Sequence, residues 1–209
     1  MPAAPELLID GTSHASRIIA LAHGAGAGMD TPFMAFFATH LVDRGFQVVR
    51  FEFPYMASYH KTGKRKPPDR EPVLRETWLR VVELLGRKNL MIGGKSMGGR
   101  IASLIADEAE VAGLVCLGYP FHPVGKPDRL RVAHLAAIKT PTLIVQGERD
   151  PFGTREEVGR YKLSRAVRVK WMEDGDHSFK PRKSSGRTEE GNWEAAVEEI
   201  EGFVGSLQK

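Results

Sequence analysis

The chain predicts one doubly wound α/β domain, residues 1–209, with a mostly parallel sheet of about six to seven strands covered on both faces by helices. Apolar, β-rich runs recur as continuous blocks, the pattern of parallel strands buried on both sides. Between them lie segments whose apolar residues repeat at helical spacing, so each step predicts a right-handed βαβ crossover. A length of 209 residues with 42% hydrophobic content suits a single full core. No internal repeat or linker divides it.

The strand candidates are Arg17–His23, Gln47–Phe53, Leu90–Gly93, Gly113–Leu117, Thr142–Gln146 and Val167–Met172. Helical spacing is clear in Phe33, Phe36, Phe37, His40 and Leu41, and again in Leu74, Trp78, Val81, Val82 and Leu85. Trp193, Val197, Ile200, Phe203 and Leu207 follow it with slight drift. Two polar stretches, His60–Arg70 and Ser178–Thr188, interrupt the rhythm and read as solvated loops. No apolar run approaches the ~20 residues that span a bilayer. The beginning MPAAPELLIDGTSH has neither a basic start nor an apolar signal core, so no export signal is expected. Cys116 is a lone cysteine, which fits a reducing cytoplasm.

Two glycine-rich segments invite a nucleotide reading, and both fail it. Gly94-Lys95-Ser96 resembles the end of a P-loop, but the required earlier glycine is Asn89 and strand residues follow it. In HGAGAGMD (His23–Asp30) a dinucleotide fingerprint would need a small residue at Met29 or Thr31.

The same segment, GKSMG, also matches G-x-S-x-G. That motif holds a nucleophilic serine on a sharp turn between a strand and a helix. Here Leu90–Gly93 precedes it, Gly94, Gly98 and Gly99 keep it uncrowded, and Ile101, Leu104 and Ile105 mark a helix after it. Alone the motif is weak; its value depends on partners in the order serine, acid, histidine. GERDPFG after Thr142–Gln146 offers Asp150, with Glu148 a rival nearer the strand. EDGDHSF after Val167–Met172 offers His177. Strand ends on one edge of an open α/β sheet form the ligand crevice, so Ser96, His177 and Asp150 can meet there. Ser96 would attack, His177 would carry its proton and Asp150 would orient the imidazole. The bland alternatives are a turn aspartate before Pro151 and a loop histidine packed on Phe179. The oxyanion donors expected from this arrangement are the backbone N–H of Met97 and that of Ala25, with Gly26 beside it as an alternative. His23 is expected to brace the glycine loop.

Taken together, HGAGAGMD, FEFPYM, TGKRKPPDR, GGKSMGGR, LGYPFHPVGKP, QGERDPFG and GDHSFKPR resemble a compact α/β-hydrolase family. It groups small bacterial hydrolase-like proteins, animal testis-expressed hydrolase-like proteins and a hydrolase-like domain of a chromatin acetyltransferase complex. A more distant likeness is to dienelactone hydrolases, which use a cysteine where this chain has Ser96. The resemblance runs from about His23 to the C-terminus. It implies the α/β-hydrolase fold and a Ser96–Asp150–His177 triad, and it names no substrate.

Only Gly118–Pro141 fills the gap in which many such proteins carry a lid, so no lid domain is expected. Tyr119, Phe121 and Phe152 follow strand ends and either line the mouth or belong to the core. His60–Arg70, His122–Arg131 and Ser178–Thr188 leave the sheet on the same edge. They hold twelve lysines and arginines, Lys64 and Arg65 among them, against Asp69 and Asp128 only, on a chain of net charge +4. Such a rim would attract an anionic substrate or an acidic partner; a set of solvated loops is the plain alternative. Nucleic acid is a weaker reading without a recognition fold. No cofactor is implied, and no metal, because no cluster has ligand spacing. The expected function is that of a serine hydrolase acting on a carboxylic ester or thioester. The competing reading is a hydrolase-fold binding or scaffold protein with little or no turnover. Oligomeric state is not written in the sequence.

Overall fold

The computed structural model describes residues 4–207; the remaining terminal residues lie outside the description. Seven strands form one sheet: β1 (Leu7–Asp10), β2 (Ile18–Ala22), β3 (Gln47–Phe51), β4 (Leu90–Lys95), β5 (Gly113–Leu117), β6 (Thr142–Gly147) and β7 (Val167–Met172). Their order is β1-β3-β2-β4-β5-β6-β7. Every pair is parallel except β1 with β3. The six strands read from the sequence are all present within two residues at each end. The seventh, β1, escaped because LLID is short and half-exposed, with Ile9 52% open to solvent. Its anchor is electrostatic as well as apolar: Asp10 accepts from the buried Arg50 of β3 at 2.8 Å.

The helices are α1 (Pro32–Val42), α2 (Pro54–Thr62), α3 (Glu71–Leu85), α4 (Met97–Ile105), α5 (Arg155–Val158) and α6 (Glu189–Ser206). Their ends follow local chemistry. Thr31 caps α1 by accepting from the Met34 N–H, and Pro32 sits where no N–H partner is needed. Pro54 starts α2, and Gly63 at φ 69° ends it. Thr188 caps α6 by accepting from Gly191. The element α2 corrects the sequence reading, since His60–Thr62 belong to its last turn rather than to a loop.

Two apolar layers sandwich the sheet. One gathers Phe51, Phe53, Trp78, Val81, Ile92, Ile101, Cys116 and Ile144 beneath α3 and α4. The other gathers Leu21, Phe37, Val48, Met91, Val115, Val145, Val197 and Phe203 beneath α1 and α6. Interior strands β4, β5 and β6 are buried on both faces, as continuous apolar runs require. Strand β7 differs from expectation: its burial alternates, because as the edge strand it has a neighbour only in β6. Between β5 and β6 the described residues contain no further helix or strand.

Trp78 locks α3 to the sheet and to α4. It is wholly buried, its ring meets Phe51 edge-on at 4.7 Å, and its indole N–H donates to Gly98 O at 3.2 Å. Trp78→Ala should cost about 3–5 kcal/mol of stability by leaving a cavity. Trp78→Phe should cost less, about 1–3 kcal/mol, by removing part of the ring system and the indole bond to Gly98 O. Guanidinium unfolding midpoints of the two variants test the order.

Candidate active site

The turn between β4 and α4 carries Ser96 at φ 50° and ψ −114°, a conformation a non-glycine residue holds only under constraint. The constraint comes from both sides. Ser96 N–H donates to Leu117 O at 2.9 Å, and Ser96 O accepts from Arg100 N–H at 3.0 Å. The flanking backbone passes very close to β2: a Cβ on Gly94 would stand 2.1 Å from Ala22 O, and one on Gly98 2.5 Å from the same atom. Any side chain at either position would push Ser96 out of place.

Around Ser96 Oγ a chain of hydrogen bonds runs inward. Oγ lies 2.8 Å from His177 Nε2, and His177 Nδ1 lies 2.7 Å from Asp150 Oδ2. A carboxylate only accepts, so Nδ1 carries the hydrogen and Nε2 is free to accept from the serine hydroxyl. Asp150 is fully buried. Its Oδ1 accepts from Phe152 N–H at 2.9 Å, and Oδ2 also accepts from the Gln146 side chain at 2.8 Å. Burial is the main cause that holds His177 below its ordinary value of 6.5; the bond to Asp150 opposes this and the Lys95 charge adds to it.

The sequence left Glu148 open as the acid, and the structure separates it from the histidine. Its carboxylate accepts from Arg155 at 2.7 Å and from Asp174 N–H at 3.0 Å.

The histidine loop is held by groups that sequence reasoning missed. Asn192 on α6 donates to Glu173 O at 3.0 Å and Phe179 O at 2.7 Å, and Trp193 Nε1 donates to Ser178 O at 2.8 Å. Asp176 Oδ1 accepts from Ser178 N–H and Lys180 N–H. Asn192 and Trp193 are distant in the chain and read as ordinary helix positions, so no sequence signal singles them out.

The HGAGAG loop faces the same turn. Burial holds the His23 pKa below its ordinary value; its Nδ1–H donates to Gly24 O at 2.7 Å, and Nε2 accepts from Phe53 N–H at 3.1 Å. His23 thus braces the loop, as expected. Tyr55, unnoticed in the sequence, donates from its hydroxyl to Gly24 O and Ala25 O at 3.2 and 3.0 Å. Met97 opens α4, so its N–H belongs to the helix end that has no intrahelical acceptor.

The rim needs two corrections. Tyr119 and Phe121 are buried core residues. The Tyr119 hydroxyl reaches Arg131 O at 2.9 Å beneath the loop, so neither ring lines an opening. Phe152 does face the site, its ring centroid 4.4 Å from that of His177. The basic rim is also partly neutralised. Arg182 pairs with Asp174 at 2.5 Å, Lys180 with Glu189 at 3.7 Å, and Arg187 with Glu173. Those acids lie outside the basic stretches, which is why counting within them overstated the charge. Lys64 and Arg65 are exposed. Arg65 sits 5.5 Å over the Tyr59 ring and lines a cleft of about 330 Å³ with Ala25, Gly26, Tyr55 and Lys66.

The expectation that no residues gather as metal ligands also changes. Asp30, Glu52 and His60, remote in sequence, bring ligand atoms within 4.8 Å of one another. His60 Nδ1 lies 3.0 Å from Glu52 Oε2, and Glu52 Oε1 accepts from Met29 N–H at 3.3 Å. The set ties α2 to the glycine loop.

The signature of the alpha/beta hydrolase domain matches residues 15–205. The chain belongs to that family. A rat relative named "Putative protein-lysine deacylase ABHD14B" is 30% identical over 116 residues. That match takes in 54% of this chain and 52% of the relative, so the chain spans about half the length of the curated relative it matches. Among solved structures, a dienelactone hydrolase from Anabaena variabilis superposes with a TM-score of 0.71 at 18% identity, covering 96% of this chain and 97% of the other. XC6422 from Xanthomonas campestris, described as a serine hydrolase without lid, superposes with a TM-score of 0.63 at 15% identity, over 99% and 94% of the two chains. The fold is the α/β-hydrolase fold. No helix among the described residues is long and apolar enough to cross a membrane.

The sign of the His177 shift is testable by itself. A depressed imidazole stays unprotonated, and able to accept from Ser96, to lower pH than a free histidine. Proton NMR should place its midpoint below 6.5, and Asp150→Asn, by removing the bond and charge that raise it, should lower it further.

Proposed function

We propose that this α/β-hydrolase family member is a serine hydrolase that cleaves a carboxylic ester or thioester through an acyl-enzyme. The observation that carries the reading is the pair of short contacts from Ser96 Oγ to His177 Nε2 (2.8 Å) and from His177 Nδ1 to buried Asp150 (2.7 Å). Ser96 Oγ attacks the acyl carbon while Nε2 takes its proton. The imidazolium, steadied by Asp150, then returns that proton to the leaving alcohol or thiol as the acyl–leaving-group bond breaks. Water repeats the cycle: Nε2 takes its proton, hydroxide oxygen bonds to the acyl carbon, and Ser96 leaves as the alcohol. Met97 N–H and Ala25 N–H receive the negative oxygen of each tetrahedral intermediate. Tyr55 and His23 hold the carbonyls of Gly24 and Ala25, which aims the Ala25 N–H.

The cleft bordered by Ala25, Tyr55, Arg65 and Lys66 adjoins the proposed oxyanion position, so it receives one arm of the substrate. Arg65 and Lys66 at its edge favour an acyl or alcohol group bearing a carboxylate. Phe152 packs beside the imidazole.

A fluorophosphonate probe should label the wild type and leave Ser96→Ala unlabelled. His177→Ala should lower turnover of the best ester roughly 10³-fold or more. An unlabelled, folded wild type would leave the scaffold reading in its place. The substrate panel spans p-nitrophenyl esters, coenzyme A thioesters and, given the name of the rat relative, acyl-lysine peptides. Carboxylate-bearing esters should be preferred over neutral ones at low salt, and the preference should shrink at high salt and in Arg65→Ala. Equal rates under all conditions would remove the anionic-substrate part.

A further inference from the structure

Lys95 fills the variable position just before Ser96, and its side chain reaches the backbone of the histidine loop. The ammonium donates to the backbone carbonyl of His177 itself. It lies 5.0 Å over the Phe33 ring of α1 and 5.7 Å over the Phe179 ring of the histidine loop. Beneath it Gly118 is bare: a Cβ there would stand 2.8 Å from Lys95 Nζ and 2.7 Å from His177 O, so the amine and the carbonyl share one fitted slot. The charged groups facing that slot are Asp150, Asp176 and His177.

We propose that Lys95 is the positioning residue of the site, one cation that ties the histidine loop to the nucleophile's own strand and keeps the imidazole in its proton-accepting form. The tie is short in sequence terms on one side and long on the other. Ser96 is the next residue after Lys95, whereas His177 arrives from beyond β7. A bond from the first to the second sets the distance between the two reacting groups with one side chain. The charge works alongside the tie, since a nearby cation disfavours a second positive charge on His177. The Lys95 charge is among the causes that depress His177, after burial. Burial in turn pushes the Lys95 amine down to about 8, with Asp150 and Asp176 opposing it.

This inference rests on the proposed roles of Ser96 and His177, and the test separates the two. The midpoint of His177 is read by proton NMR in folded wild type, Lys95→Met, Lys95→Gln and Lys95→Arg, with no substrate required. Removing the charge should raise the midpoint by about half a pH unit or more in Lys95→Met and Lys95→Gln. Lys95→Arg keeps the charge and should leave it near the wild-type value. On the best ester, Lys95→Met should lose about tenfold or more in kcat with KM changed by less than about twofold, and Lys95→Arg should recover much of the loss. An unmoved midpoint in either neutral variant overturns the proposal, and so does equal loss of kcat in Lys95→Met and Lys95→Arg. Should Lys95→Met not fold, Lys95→Gln decides, because it also removes the charge while retaining a polar N–H group in the slot. Absence of fluorophosphonate labelling in the wild type would count against Ser96 and leave the midpoint result standing.

Discussion

The close passage of the β4–α4 turn over the end of β2 is the constraint on which the rest of the site depends. Gly94 and Gly98 both lie so near Ala22 O that no side chain fits, and the two backbones touch directly. That contact holds Ser96 in a left-handed conformation costing roughly 1–3 kcal/mol, which its backbone bonds to Leu117 O of β5 and Arg100 N–H of α4 sustain. It also sets the glycine loop, because β2 ends at Ala22 and His23 begins that loop. The proposed nucleophile and the proposed oxyanion donor at Ala25 are thus two ends of one packing contact.

Around this fixed point, the polar groups that cannot reach water are paired with one another. Asp150 is buried completely, yet its two oxygens take donors from His177, Gln146 and Phe152. A buried carboxylate is costly without such partners, and with them it is rigid. His23 is likewise buried and satisfied at both ring nitrogens, between Gly24 O and Phe53 N–H. The histidine loop hangs from α6 through Asn192 and Trp193, so the C-terminal helix takes part in placing the imidazole. These second partners explain how loops from different strands keep Ser96, His177 and Asp150 within hydrogen-bond reach.

The surface is less extreme than its composition. Arg182, Arg187 and Lys180 turn toward Asp174, Glu173 and Glu189, which removes part of the positive field on one side. Arg65 and Lys66 line the cleft beside the glycine loop, and Lys126, Arg129 and Lys183 are exposed elsewhere on the rim.

Alternating strand and helix patterns determined the architecture by themselves, because a strand buried on both faces and an amphipathic helix leave few ways to pack. The order of Ser96, Asp150 and His177, each just past a strand, was equally legible, since parallel strands bring all such ends to one edge. The small residues around Ser96 announced a tight turn. Everything that depends on a partner far away in the chain was decided only by tertiary structure. Tyr119 and Phe121 follow strand ends as Phe152 does, but only packing could bury the first two and leave the third beside His177. Lys95 reads as a spacer inside a motif; its meeting with His177 O exists because β4 and the loop after β7 converge. Asp30, Glu52 and His60 show no spacing, and folding alone assembled them. Periodicity states which way a residue points, and it is silent on what waits there.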